Sequence, residues 1–156
     1  MKNLRENPLV WLYNTPKNDF KDIVSTIDSI LMKLGYEIRT LILSSKYDLL
    51  DVIESRSFKS FNYDKQRLGE NIYSFKLYKK IRGRKKVRES RFIIFKHTNP
   101  FIYILITHEK YKIFHYDIIS FINRFYPKIA RSYIDSQYMK TIFHNLEKKI
   151  EDVSIE

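Results

Sequence analysis

Apolar residues recur at Phe20, Ile23, Val24, Ile27, Ile30, Leu31 and Leu34, the spacing that lays one stripe along a helix. The pattern predicts a helix from Pro16 to Leu34. Thr15 offers a hydroxyl to the free amides of its first turn, proline is tolerated there, and Gly35 suits its end. Glu37 to Leu43 reads as a short strand, although Ile38, Leu41, Ile42 and Leu43 fit a continued helix equally well. Ser45-Lys46-Tyr47-Asp48 has the form of a capping box ahead of Leu49, Leu50 and Ile53, which predicts a second helix ending near Arg56. The polar stretch Ser57 to Asn71 reads as a loop packed on the body through Phe58, Phe61 and Tyr63.

From Ile72 the period drops to two. Tyr73, Phe75, Leu77 and Ile81 alternate with Ser74, Lys76, Tyr78 and Lys80, as in a half-buried strand. Arg82-Gly83-Arg84 supplies a turn, Val87 to Lys96 returns as a strand, and Asn99-Pro100 turns the chain again. Phe101 to Thr107 is apolar on both faces, which suits a central, fully covered strand. A helix from Tyr116 to Tyr126 is stopped by Pro127, and Ile129 to Ile134 adds a strand. A last helix spans Ser136 to Ile150 on Met139, Ile142, Phe143, Leu146 and Ile150. The expected architecture is α+β and two-layer. A mostly antiparallel sheet, a meander around 72–107, is flanked by three or four helices in a single domain over residues 1–156.

Composition narrows the setting. Hydrophobic residues are 44% and charged residues 30% of the chain, the balance of a sequence that folds. The longest apolar run, Phe101 to Ile106, falls far short of the ~20 residues a membrane-spanning helix needs, and Met1 to Val10 has no signal-peptide core. The absence of cysteine removes disulfides and thiolate metal sites, so a cytoplasmic location is expected. An alphabet rich in Ile, Lys, Asn, Tyr and Phe with a lone alanine, Ala130, is also what AT-rich coding produces. Part of the lysine excess is therefore uninformative.

The placement of charge is more telling than its amount. Of the formal net charge of +11, a segment from Lys76 to Arg91 holds +8, nine cations against Glu89. Four of the ten arginines lie between Arg82 and Arg91. A like-charged tip repels itself, and a polyanion relieves the repulsion. The expectation is nucleic-acid binding, DNA or RNA, by Lys76, Tyr78, Lys79, Lys80, Arg82, Arg84, Lys85, Lys86, Arg88 and Arg91. The plainer alternative is a solvated tip that discourages pairing between sheet edges.

Two further readings stay open. Trp11 to Tyr13 or Tyr111 to Phe114 would give a contact surface for a protein partner, a homodimer, or a larger assembly of which this chain is the N-terminal part. His108, Glu109 and Lys110, with His115 nearby, supply residue types that metal-independent RNA cleavage uses as acid, base and phosphate stabiliser. The same residues are ordinary in a polar turn. His97 and His144 complete the histidines, the latter beside Phe143 on the last expected helix. No ligand spacing for a metal and no glycine-rich phosphate loop is present, so neither a metal nor a cofactor is expected.

Overall fold

The alternation from Ile72 to Lys96 produces the longest strand pair of the fold. A computed structural model describes residues 8–17, 20–83, 85–98 and 100–134. Among these, six strands form one antiparallel sheet: β1 (Arg39–Ser44), β2 (Phe61–Gly69), β3 (Ile72–Lys80), β4 (Val87–Lys96), β5 (Ile102–Thr107) and β6 (Ala130–Ile134). Their spatial order is β2-β3-β4-β5-β1-β6. The meander β2 to β5 is thus built from neighbours in sequence, and β1 adds to it along β5.

Among the described residues four helical segments accompany the sheet. Helix α1 is Pro8–Asn14, and α2 is Phe20–Ser29 continued by a π-helical turn, Ile30–Leu34. Helix α3 is Leu49–Glu54. Helix α4 runs through Tyr111–Ile113, a π-helical stretch Phe114–Ile119, and Ser120–Asn123. The fold is the α+β arrangement that the sequence pattern implies.

Successive strand residues point to opposite faces, and each face has its own helical cover. Leu41, Leu43, Phe75, Leu77, Phe92, Ile94 and Leu105 pack with Leu49, Val52 and Ile53 of α3 and with Phe114, Ile118, Phe121 and Ile122 of α4. Ile72, Ile93, Phe95, Ile104 and Ile106 pack with Leu12 and Tyr13 of α1 and with Ile23, Ile27 and Ile30 of α2. Cover on both faces is why 92–95 and 102–107 are continuously apolar. Phe75 and Phe92, directly opposite on β3 and β4, stack at 5.1 Å between centroids.

Several boundaries differ from the expectation. The stretch Ser57 to Asn71 is not a loop, since β2 occupies most of it and pairs with β3 from Phe61↔Lys79 to Arg67↔Tyr73. As the outermost strand of the meander it carries Asn62, Asp64, Lys65, Gln66 and Arg67, which hides its period; charge on an edge is normal. The helix expected from Pro16 begins only at Phe20. The Thr15 amide donates to the Trp11 carbonyl at 3.3 Å, and the Lys17 ammonium donates to the carbonyls of Trp11 and Thr15 at 2.7 Å each, so both residues close α1. Gly35 ends α2 as expected, with φ +66°.

Asp48, not Ser45, caps α3, accepting from the amides of Leu50 and Asp51 at 3.0 and 3.2 Å. Helix α4 begins at Tyr111, ahead of the expected Tyr116, and its last turn ends at Asn123. The helix expected from Ser136 to Ile150, with His144, lies outside the described residues.

One close approach locks α1 to the edge strand. The Lys17 amide donates to the Leu68 carbonyl at 2.6 Å, beside the register shift between Arg67 and Gly69. A Cβ at Gly69 would meet the Lys17 carbonyl oxygen well inside contact distance. Gly69→Ala is therefore expected to cost about 1–3 kcal/mol, as for other overpacked sites. Urea denaturation should show a lowered midpoint with an unchanged slope.

Candidate functional site

Strand geometry sorts the basic hairpin into two faces and a tip. Lys76 lies opposite Arg91, Tyr78 opposite Glu89 and Lys80 opposite Val87 on the α1–α2 side; Lys79 lies opposite Arg88 on the α4 side.

On the α4 side the charge is answered by an acid. Asp117 is fully buried at 0% exposure. Arg88 Nε donates to its Oδ2 at 2.6 Å and a second guanidinium nitrogen donates to its Oδ1. Lys79 Nζ stands 3.6 Å from Oδ1 and donates to the Tyr116 carbonyl at 2.8 Å. The hydrogen bond to Asp117 raises the Arg88 pKa above its ordinary value, the largest of the influences on it.

The opposite face is matched more loosely. Glu89 Oε1 lies 3.2 Å from Lys76 Nζ and 3.8 Å from Arg91 Nε. The Tyr78 hydroxyl donates across β3 to Asp64 Oδ2 at 3.0 Å, which ties that ring to β2. A polar cleft of about 220 Å³ opens there, lined by Asn14, Asp64, Gln66, Ser74, Lys76 and Arg91 among others.

Beyond these pairs the tip stands alone. Lys80, Arg82, Lys85 and Lys86 are all exposed, and none meets an acid among the described residues. Arg84 lies outside them. The nine described residues of the ten expected to act together thus separate into a base of charge-matched or hydrogen-bonded side chains and an unmatched end.

The residues considered for acid–base chemistry divide: His108 Nε2 lies 3.8 Å from Glu109 Oε1, whereas Lys110 and His115 stand apart from them. The Tyr13 hydroxyl lies 2.6 Å from His108 Nδ1 and accepts from the His108 amide at 3.1 Å. Burial pushes the Tyr13 pKa far above its usual value, so the phenol keeps its proton beside the imidazole. Burial, aided by Arg91, lowers the His108 pKa and keeps the ring neutral. Glu109 Oε2 accepts from the Arg91 amide at 2.8 Å; its own amide donates to Thr107 Oγ1, which donates in turn to the Arg91 carbonyl at 2.6 Å. Its carboxylate thereby completes the backbone pairing at the end of β5, and burial raises its pKa.

Lys110 is exposed, and His115 stacks on Tyr111. Among the described residues no contact joins either of them to His108. Tyr13, the residue that does hold His108, was missed because it lies 95 positions away. Of the aromatic segments weighed as contact surfaces, Leu12, Tyr13 and Phe114 are buried, the Trp11 ring sits under the Lys17 ammonium at 4.5 Å, and Tyr111 stays exposed. No three metal-ligating side chains cluster among the described residues, and no helix there is long and apolar enough to cross a membrane.

Comparison with known proteins returns no matching family model, no matching curated protein and no matching solved structure.

Two outcomes follow from these contacts. Asp117→Asn is expected to lower stability by about 1–3 kcal/mol in urea titrations, because a neutral amide leaves the Arg88 and Lys79 charges unanswered. His108 has a folded pKa below the ordinary 6.5, so its contribution is present above that pH and fades as the pH falls below 6.5. The stability gap between the native chain and His108→Gln should therefore narrow on acidification, read from unfolding midpoints.

Proposed function

We propose that this protein binds the phosphate backbone of a nucleic acid through the end of the β3–β4 hairpin, with Lys80, Arg82, Lys85 and Lys86 as the principal contacts. The observation that carries the reading is the contrast within the hairpin. Asp117 and Glu89 meet Lys76, Lys79, Arg88 and Arg91, whereas the four tip cations face solvent with no acid beside them among the described residues. A compositional lysine excess does not account for arginine and lysine gathered around one turn while the acids stay at its base.

Two unit charges 4 Å apart repel by about 1 kcal/mol even in water, so a tip of this kind gains from any polyanion that reaches it. Phosphates spaced along a strand release their counterions on contact, which makes the association favourable and dependent on salt. The paired cations have a second role in this reading. They brace the ribbon so that the tip presents its charges from a fixed base, which limits the ordering cost of binding.

The test is fluorescence anisotropy with labelled 20-nucleotide DNA and RNA. Four phosphate contacts predict an affinity that falls about 100-fold between about 50 and about 200 mM salt. Changing Lys80, Arg82, Lys85 and Lys86 together to glutamine should remove most of the binding and flatten the salt dependence. Retained binding with the native salt slope would reject the tip as the interface.

A further inference from the structure

Helix α4 starts where β5 ends, at the same end of the sheet from which the hairpin projects, and its first turns leave three rings at the surface. Tyr111 is 56% and Tyr116 55% exposed, and His115 is exposed with them. Core packing does not explain them. Phe114, Asp117 and Ile118 already fill the inner side of the helix with no surface exposed. Tyr111 and His115, four residues apart and so neighbours on one helical face, lie parallel at 5.6 Å with an interplanar angle of 7°. Tyr116 stands edge-on to His115 at 5.2 Å. The Arg39 guanidinium sits 6.0 Å from the Tyr111 ring, and Lys110 and Lys112 are exposed in the same turn.

These rings are joined to the basic hairpin by direct contacts. Lys79 donates to the Tyr116 carbonyl, and Asp117, the next residue, holds Arg88. Lys80, next along β3, points to the opposite face, and the exposed cations beside the rings are Lys110 and Lys112. The aromatic faces and the solvent-facing Lys110 and Lys112 are thus adjacent on one surface, at the base of the hairpin whose tip carries the unmatched cations. That combination differs from an apolar protein-docking patch, whose centre is depleted of charge.

We infer that the nucleic acid is single-stranded, with phosphates following the hairpin tip and unpaired bases stacking on the rings of Tyr111, His115 and Tyr116. The inference rests on the proposed hairpin function and adds the form of the ligand. In a duplex each base face is already covered by its neighbours, so exposed rings have nothing to stack on without unpairing it. An unpaired base offers a free face, and every base has one, so the contact requires no sequence preference. Each stacked base contributes about 5- to 150-fold in affinity.

The experiment compares binding of a labelled 20-nucleotide oligo-dT, an oligo-U of equal length and a hairpin duplex to the full chain at one low salt concentration. The single strands are expected to bind more tightly than the duplex. Tyr111→Ala combined with Tyr116→Ala should weaken single-strand binding by at least about 10-fold and leave duplex binding unchanged. Tyr111→Phe with Tyr116→Phe should restore it, since a phenyl ring also stacks; an unchanged circular dichroism spectrum establishes that the variants fold. Equal or tighter duplex binding overturns the inference. So does a double alanine variant that binds single strands normally, and if the four-glutamine tip variant still fails to bind, the hairpin reading survives alone. Absence of binding to all three probes overturns both.

Discussion

Burying a carboxylate with no exposed surface is costly unless cations reach it, and Asp117 is such a group, met by Arg88 through two hydrogen bonds and approached by Lys79. Both cations come from directly opposed positions on β3 and β4, so the hairpin presents them to α4 as a unit. The bond from Lys79 to the Tyr116 carbonyl adds a contact to the helix backbone one residue earlier. Helix α4 is thereby fixed across the hairpin by charge on one side of the contact and by the packing of Phe114, Ile118 and Phe121 on the other. The location of the surface rings relative to the basic tip is a consequence of that attachment.

The same logic explains why the positive charge is exposed only where it is. Helices cover both faces of the central strands, and the apolar residues of β3 and β4 end with Leu77 and Phe92 on one face and with Ile72 and Ile93 on the other. Past those residues the two strands carry mostly polar side chains, with Ser90 still buried and Val87 half exposed. Near the body, acids from β4 and α4 meet the cations; farther out no described element lies close enough to supply one. Reach, not the number of lysines, separates the matched cations from the unmatched ones.

Much of this was legible from the pattern of residues. The strict alternation of Tyr73, Phe75 and Leu77, the unbroken apolar runs of β4 and β5, and the glycine after α2 each follow from a local rule, and each held. The edge strand β2 did not read as a strand because solvent takes most of its side chains, leaving Phe61, Tyr63 and Leu68 too sparse for a period of two. Helix α1 buries little more than Pro8, Leu12 and Tyr13, too short a stripe for periodicity to register. The contacts that define the site are long-range: Tyr13 with His108, and Arg88 with Asp117 across 29 positions. Nothing in the local sequence marks Asp117 as the acid that answers the hairpin, since its burial depends on a helix start that hydrophobic spacing placed five residues late.

The anchoring of Lys17 on Leu68 bears on how the molecule behaves among copies of itself. An outermost strand offers a ladder of free backbone groups on which a neighbouring chain can grow a cross-β assembly. In β2 the carbonyl of Leu68 is already taken by the Lys17 amide, and the chain segment that makes this bond stands against Gly69 too closely for a side chain there. A fibril seed sliding along this strand meets an obstruction at one end and the charges of Asp64, Lys65 and Arg67 along the remainder. A glycine that admits the Lys17 backbone by its lack of bulk thus helps close one end of the open sheet edge to strand-by-strand growth.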